Sequence, residues 1–205
     1  MKILFVHGMG RSPLSGWRLL RYLRKKYRVE TQTFSYLVSI ESFEQIEQRL
    51  QKRISAIAEK DDYILIGHSL GGVLIRATIN ALADRVKPPT HTFLLGSPLQ
   101  PSRLAKYFRR YRIFRLMTND CGGLLASEIR MQAIAAISSP VTSLVGISGP
   151  QCKSGPFKNE LNDGIVSLSE VSADWLTDQI QVKGMHSFLS SNKQVIRHIS
   201  ARMDG

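Results

Sequence analysis

A serine stands between two glycines in the segment YILIGHSLGGVLI (63–75), with Gly67 and Gly71 two positions either side of Ser69. The unbroken apolar run before it is typical of a strand covered on both faces. Apolar residues at helical spacing after it predict a helix over 73–84. Because glycines lack Cβ atoms, they permit a sharp turn between such a strand and helix. The pattern predicts a nucleophile elbow, which raises the serine hydroxyl above the carboxyl edge of a sheet.

A serine hydroxyl becomes a good nucleophile only when a base takes its proton, and the base needs an acid to hold its tautomer. In chains with this elbow the order is serine, acid, histidine. Of the three histidines after Ser69, His186 lies between the last predicted strand and the last predicted helix, at the carboxyl edge. We therefore predict that His186 is the base. His91 opens a predicted strand at the opposite edge and His198 lies within the last helix, so both are interpreted as structural.

The predicted acid is Asp163, which lies in a glycine-containing loop that runs from Gly149 to Gly164. Its position before His186 fits the order of a catalytic triad. The alternative is a plain Asx turn, since Asn-Asp-Gly is also good turn chemistry. Asp120 falls in a long insertion and Asp174 in a predicted helix, so both are weaker candidates.

Two backbone amides are candidates for stabilising an oxyanion. The amide of Leu70 follows the serine at the positive end of the predicted helix. The amide of Met9 lies in the loop VHGMG, where Gly8 lets the backbone turn toward a substrate. A phosphate-binding loop is the alternative interpretation, but the chain has neither GxGxxG nor a Walker lysine–serine pair there.

The elements that must position these residues alternate between strand and helix. Strands are predicted at 2–6, 29–34, 63–66, 91–96, 141–147 and 179–182. Helices are predicted at 15–26, 43–57, 73–84 and after His186, where Phe188, Leu189, Val195 and Ile199 are expected to face inward. This alternation predicts a parallel sheet with helices on both faces. We expect a single domain over 1–205.

One interval, residues 97–140, is too long for a single crossover. Two helices are predicted inside it, around 102–116 and 121–137. In a parallel sheet such an insertion rises from the carboxyl edge, where ligands bind. We therefore predict that this insertion forms a cap or lid.

The segments VHGMG, GHSLGG, NDGIV and GMHSF, in that order, resemble the α/β-hydrolase superfamily, especially its small lipases and esterases. The resemblance implies a nucleophile at Ser69, an acid at Asp163, a base at His186 and oxyanion amides at Met9 and Leu70. It also implies a minimal α/β fold, with about six parallel strands in the order 2-1-3-4-5-6 and without the first two strands of the full sheet. No cofactor and no metal are expected.

Three functions are compatible with this pattern. The first is a serine hydrolase, lipase- or esterase-like, that cleaves small-molecule carboxylic esters through an acyl-enzyme. The second is a thioesterase or acyltransferase that uses the same residues. The third is a non-catalytic binding protein, which the intact set of nucleophile, acid, base and oxyanion loop disfavours.

Charge is the least typical feature of the sequence. Lysine and arginine number 28 against 16 acidic residues, a formal net charge of +12. Two stretches, 11–28 and 103–115, carry many cations and no acid. The second predicts a basic amphipathic helix suited to an anionic membrane surface or to an anionic substrate. The alternative is a solvated basic helix whose aromatic face covers the core. No specific nucleic-acid binding is expected, since no recognised nucleic-acid fold is present, and the oligomeric state stays open.

The expected compartment follows from what the sequence lacks. The N-terminus has too short an apolar run for a signal peptide, and no run approaches a membrane span. Cys121 and Cys152 are therefore expected to be free thiols. We expect a cytoplasmic protein, with peripheral membrane binding as an option.

Overall fold

The computed structural model describes residues 1–204 and contains one six-stranded parallel sheet. Its strand order is β2-β1-β3-β4-β5-β6, so the predicted fold class and the predicted order are confirmed. The strands are β1 (Lys2–Val6), β2 (Glu30–Phe34), β3 (Tyr63–His68), β4 (His91–Leu95), β5 (Val141–Gly146) and β6 (Asp178–Val182).

Helices cover both faces of the sheet. They are α1 (Trp17–Tyr27), α2 (Phe43–Ala58), α3 (Leu70–Ala81), α4 (Arg103–Phe108), α5 (Arg112–Ala126), α6 (Glu128–Gln132) and α7 (Lys193–Met203). Successive strand residues point to opposite faces. In β3, Leu65 therefore packs with α2 and α3, whereas Ile64 and Ile66 pack with α1 and α7. Both faces of this strand are buried, which explains its continuous apolar run.

Two predictions near the C-terminus were wrong. A 3-10 turn spans His186–Ser191 before α7 begins, and within it the side chain of Phe188 is 63% exposed rather than inward-facing. The other three predicted inward residues, Leu189, Val195 and Ile199, are buried. Asp174 lies in an irregular turn, not in a helix. A helical periodicity drawn across His186 failed because the chain there turns with three residues per turn rather than 3.6.

The insertion between β4 and β5 contains three helices instead of the two predicted. The predicted helix at 102–116 is broken, since α4 ends at Phe108 and α5 begins at Arg112. The predicted helix at 121–137 is also broken, into the end of α5 and the short α6. Inside α5 the chain kinks at Asn119, whose φ of 45° and ψ of −135° are not helical.

Two polar anchors hold the C-terminal half of the insertion to the sheet's helices. Asp120 pairs with Arg130 at 2.5 Å and accepts a hydrogen bond from the amide of Phe43, at the start of α2. Arg76 of α3 is buried, lies 5.2 Å from the ring of Trp175, and donates to the carbonyl oxygen of Ile134 at 2.6 Å. Burial lowers the pKa of Arg76 to about 10.

The two cysteines are free and differ in surroundings. Cys121 is buried within α5, and burial raises the pKa of its thiol to about 12. Cys152 is exposed. Among residues 1–204, no helix has both the length and the apolar character required to cross a membrane.

Candidate active site

Ser69 is the single residue between β3 and α3. Its φ of 53° and ψ of −123° lie in the left-handed half of conformational space, which is unusual for a residue with a side chain. The turn is held by a hydrogen bond from the Ser69 amide to the carbonyl oxygen of Leu95, at 2.9 Å. The hydroxyl therefore stands at the N-terminus of α3, above the carboxyl edge of the sheet.

The two flanking glycines are required by close packing of strand against helix. A Cβ on Gly67 would lie 2.4 Å from the Cα of Gly72. A Cβ on Gly71 would lie 2.2 Å from the carbonyl oxygen of Val6. Neither contact is possible for a real side chain, so the spacing in the sequence reflects a steric requirement.

The structure brings Asp163 and His186 together. Nδ1–H of His186 donates to Oδ2 of Asp163 at 2.7 Å, and the His186 amide donates to the Asp163 carbonyl oxygen at 2.9 Å. The other carboxylate oxygen accepts from the amides of Ile165 and Val166, both at 2.9 Å. Both Asp163 and His186 are buried. The carboxylate is thus fixed by its own turn and aimed at the imidazole.

This pair lies against the end of β4, beside the elbow. A Cβ on Gly96 would lie 2.9 Å from both Oδ2 of Asp163 and Nδ1 of His186. The preceding residue, Leu95, holds the amide of Ser69. Within residues 1–204, neither the Ser69 hydroxyl nor Nε2 of His186 has a hydrogen-bond partner, so both are available to a substrate. A hydrogen bond between a nucleophile and its base is often long or poorly aligned until substrate is bound.

The weaker candidates lie elsewhere. His91 begins β4 at the opposite edge of the sheet, where its ring is hydrogen-bonded to Thr142 of β5. Asp120 is engaged with Arg130. His198 lies in α7 and Asp174 in the turn before β6.

The loop after β1 packs directly on the elbow. A Cβ on Gly8 would lie 2.9 Å from the Cβ of Ser69. Across the described chain, the amides of Met9 and Leu70 donate to no protein acceptor, which leaves both as free donors beside Ser69. The hydroxyl of Tyr36 holds this loop by donating to the carbonyl oxygen of His7 at 2.6 Å.

Two supporting residues were missed by sequence reasoning. Tyr36 stacks on His7 with ring centroids 4.3 Å apart, and burial lowers the pKa of His7. Glu170 is a buried carboxylate that accepts from the amide and hydroxyl of Ser167 and from the amide of Arg103. It thereby joins the Asp163 loop to the start of α4. The only sign of Glu170's role in the sequence was that it is a single acidic residue within VSLSEVSA (166–173), a run of apolar and small residues.

A cavity of about 580 Å³ opens at Ser69. Its volume is in the range of small-molecule sites. The lining is overwhelmingly apolar: Met9, Pro98, Leu104, Ala105, Phe108, Tyr111, Ile113, Phe114, Leu125, Ile165 and Val166, with Ser69 and Ser102. Most of the wall, nine of its thirteen residues, comes from the insertion between β4 and β5, so the insertion lies over the elbow.

Comparison with known proteins identifies the fold. No protein-family model and no curated protein matches the sequence. Among solved structures, the chain is similar to the lipase BlEst2 of Bacillus licheniformis in its mature form, with TM-score 0.79 and 16% identity over 98% of this chain and 91% of the lipase. It is also similar to RedJ, a thioesterase from the prodiginine biosynthetic pathway in Streptomyces coelicolor, with TM-score 0.64 and 17% identity over 98% and 84%.

A third similar structure is the phospholipase PlaB from Legionella pneumophila. Its TM-score is 0.66 at 14% identity, over 84% of this chain and 45% of the phospholipase. At such identities the likeness concerns the fold. The chain has the α/β-hydrolase fold, as its sequence motifs indicated.

Proposed function

We propose that this protein is a serine hydrolase that cleaves carboxylic esters with an apolar acyl group. The observation that carries the proposal is the hydrogen-bonded pair Asp163–His186 beside Ser69, a residue that itself lines an apolar cavity. Nucleophile, base and acid are assigned to these three residues by role and geometry, as for other triads.

In the proposed first step, the Ser69 oxygen attacks the ester carbonyl carbon while its proton passes to Nε2 of His186. The Asp163 carboxylate stabilises the imidazolium that forms. Negative charge develops on the former carbonyl oxygen, and the amides of Met9 and Leu70 donate to it. Collapse of this intermediate breaks the bond to the leaving oxygen, which takes the proton from His186 and departs as an alcohol.

In the second step, water attacks the acyl-enzyme while His186 takes its proton. The second tetrahedral intermediate collapses, the Ser69 oxygen regains the proton, and a carboxylic acid leaves. The net reaction consumes one water and needs no cofactor.

The cavity supports an acyl chain as the group that enters. It is lined by Leu104, Phe108, Ile113 and Leu125, with no charged side chain in its wall. Burying each CH₂ of a chain there contributes about 0.8 kcal/mol. We therefore expect kcat/KM to rise with acyl length until the cavity is filled.

The test combines labelling with a substrate panel. A fluorophosphonate should modify Ser69 alone, as read by peptide mapping, and S69A should take no label. Chromogenic esters and acyl-thioesters of increasing chain length then measure kcat/KM. Labelling at another serine would refute the assigned nucleophile. A consistent preference for thioesters would show that the protein is a thioesterase, the alternative function that uses the same residues.

The outer face of the insertion supports a role as a cap that meets an anionic membrane surface. At the start of α5, Ile113, Leu116 and Met117 are 68%, 75% and 65% exposed. The same stretch of chain carries four exposed cations, Arg109, Arg110, Arg112 and Arg115. Exposed apolar side chains with surrounding cations suit insertion at an interface while the cations meet head groups.

Vesicle binding tests this role with matched variants. Each cation near an anionic surface contributes on the order of 1 kcal/mol at low salt. The triple change R109Q, R110Q and R112Q should weaken binding to phosphatidylserine-containing vesicles and leave hydrolysis of a small soluble ester unchanged.

The control R18Q, R21Q and R24Q removes the same charge from α1, on the other face of the sheet. Equal losses from both triples would show general attraction of a basic protein rather than a membrane-binding cap. Absence of vesicle binding by the parent protein would refute the role outright.

A further inference from the structure

The backbone of His186 is held at both of its polar groups. Its amide donates to the carbonyl oxygen of Asp163 at 2.9 Å. Its carbonyl oxygen accepts from Nε2–H of His68 at 3.0 Å. The first bond comes from the proposed acid, and the second comes from the residue directly before the proposed nucleophile. The His68 bond therefore connects His186 to the residue next to Ser69, across 118 positions of sequence.

His68 is well suited to hold that carbonyl in one position. It is the last residue of β3 and is 1% exposed. Its ring lies 4.9 Å from the ring of His186, centroid to centroid. The loop after β1 lies close to Nδ1 of this ring, since a Cβ on Gly8 would lie 2.9 Å from that atom.

The tautomer of His68 follows from its partner. A carbonyl oxygen can only accept, so the proton must be on Nε2. Nδ1 is buried and has no partner among the described residues. Burial, with a contribution from His186, lowers the pKa of His68 to about 3. The ring is therefore neutral over the working range of the proposed reaction and keeps its Nε2–H donor.

We infer that His68 is a positioning residue for His186: its hydrogen bond to the His186 carbonyl fixes how far the base stands from Ser69. This inference rests on the proposed function for its catalytic consequence, but the bond itself is a structural claim. A histidine that only filled space would need no donor, and an apolar side chain would then serve equally well.

Three variants separate positioning from packing. H68Q places an amide N–H near the site of Nε2 and retains the donor, whereas H68L fills the space without one. H91L is the control, because His91 is a half-buried histidine that lies at the opposite edge of the sheet.

Steady-state kinetics on a preferred ester gives the first readout. We expect H68L to lower kcat by about 10- to 100-fold with KM nearly unchanged, because a small misplacement of a catalytic group has an effect of that size. H68Q should restore most of kcat, and H91L should keep it. Equal kcat in H68L and the parent, or equal losses in H68L and H68Q at similar Tm, would overturn the inference.

Nitrogen-15 NMR of the histidine rings gives a readout that does not need activity. We expect His68 to show the Nε2–H tautomer and not to titrate between about pH 5 and pH 8. H68L should shift the ring signals of His186, whereas H91L should not. A protonated Nδ1 on His68 would refute the bond. If no ester is cleaved by any form while these signals are as expected, the proposed function fails and the positioning bond stands.

Discussion

Replacing Ser69 by glycine should make the protein more stable while abolishing its proposed activity. Ser69 is held at φ 53° and ψ −123°, a conformation that favours glycine. A non-glycine residue in such a region costs about 1 to 3 kcal/mol. The elbow therefore stores strain at the residue that carries the proposed nucleophilic oxygen.

The expected gain is smaller than the strain. Glycine loses about 0.5 to 1 kcal/mol more backbone entropy on folding than a residue with a side chain. The difference leaves S69G about 1 kcal/mol more stable than the parent. For a chain of this size, that is a rise in Tm of roughly 2 to 4 °C.

The matched control is S69A, which removes the hydroxyl but keeps the Cβ and hence the strain. Urea unfolding at neutral pH should place S69A near the parent and S69G above both, with the same m-value in all three. Neither variant should take a fluorophosphonate label. If S69G is no more stable than S69A, the elbow is not strained in the way its dihedral angles indicate.

Three further predictions concern the groups that support the elbow. D163N should lower kcat by roughly 10³- to 10⁴-fold. D120N should lower stability, because it loses the Arg130 contact, and should leave kcat unchanged. A loss of kcat in D120N would instead indicate that Asp120 is the acid. Between pH 6.5 and about 3 the unfolded chain binds a proton that folded His68 excludes, so stability falls on acidification. H68Q should reduce the slope of unfolding free energy against pH by up to about 1.4 kcal/mol per pH unit, measured by urea unfolding at several pH values. The same slope in the parent and H68Q would contradict the lowered pKa of His68. E170Q should destabilise by about 1 to 3 kcal/mol in the same assay, because an amide N–H₂ cannot accept from the donors that Glu170 accepts.

The sheet was predictable because burial leaves a direct trace in the sequence. Strands such as β1 and β3 are covered on both faces, and each contains a short apolar run. The glycines at 67 and 71 signalled the elbow because the packing tolerates no Cβ there. The positions of Asp163 and His186 followed from the order of motifs along the chain, and the structure places them 2.7 Å apart.

The insertion was predicted less well because its local pattern is ambiguous. Aromatic and basic residues in 103–115 fit one helix by periodicity, yet the chain turns at Arg109–Tyr111. Tertiary contacts decide that break: Phe108 and Phe114 both face the cavity over Ser69. The cavity itself joins segments distant in sequence, so no local pattern specifies its shape. The roles of His68 and Glu170 were missed for the same reason. His68 bonds to His186, 118 positions away, and Glu170 bonds to Arg103, 67 positions away.

The wall of the cavity and the proposed catalytic set come from separate parts of the chain. The insertion between β4 and β5 supplies most of the wall, whereas Ser69, Asp163 and His186 come from loops at the ends of strands. Asp120 and Arg76 fasten the insertion beyond the kink at Asn119, and Glu170 holds its start at Arg103. Mutation or length variation between 104 and 117 can thus reshape the cavity while the strand-end residues keep their geometry. A chain built this way can diverge in substrate preference by exchanging one short segment, with its reaction chemistry inherited unchanged.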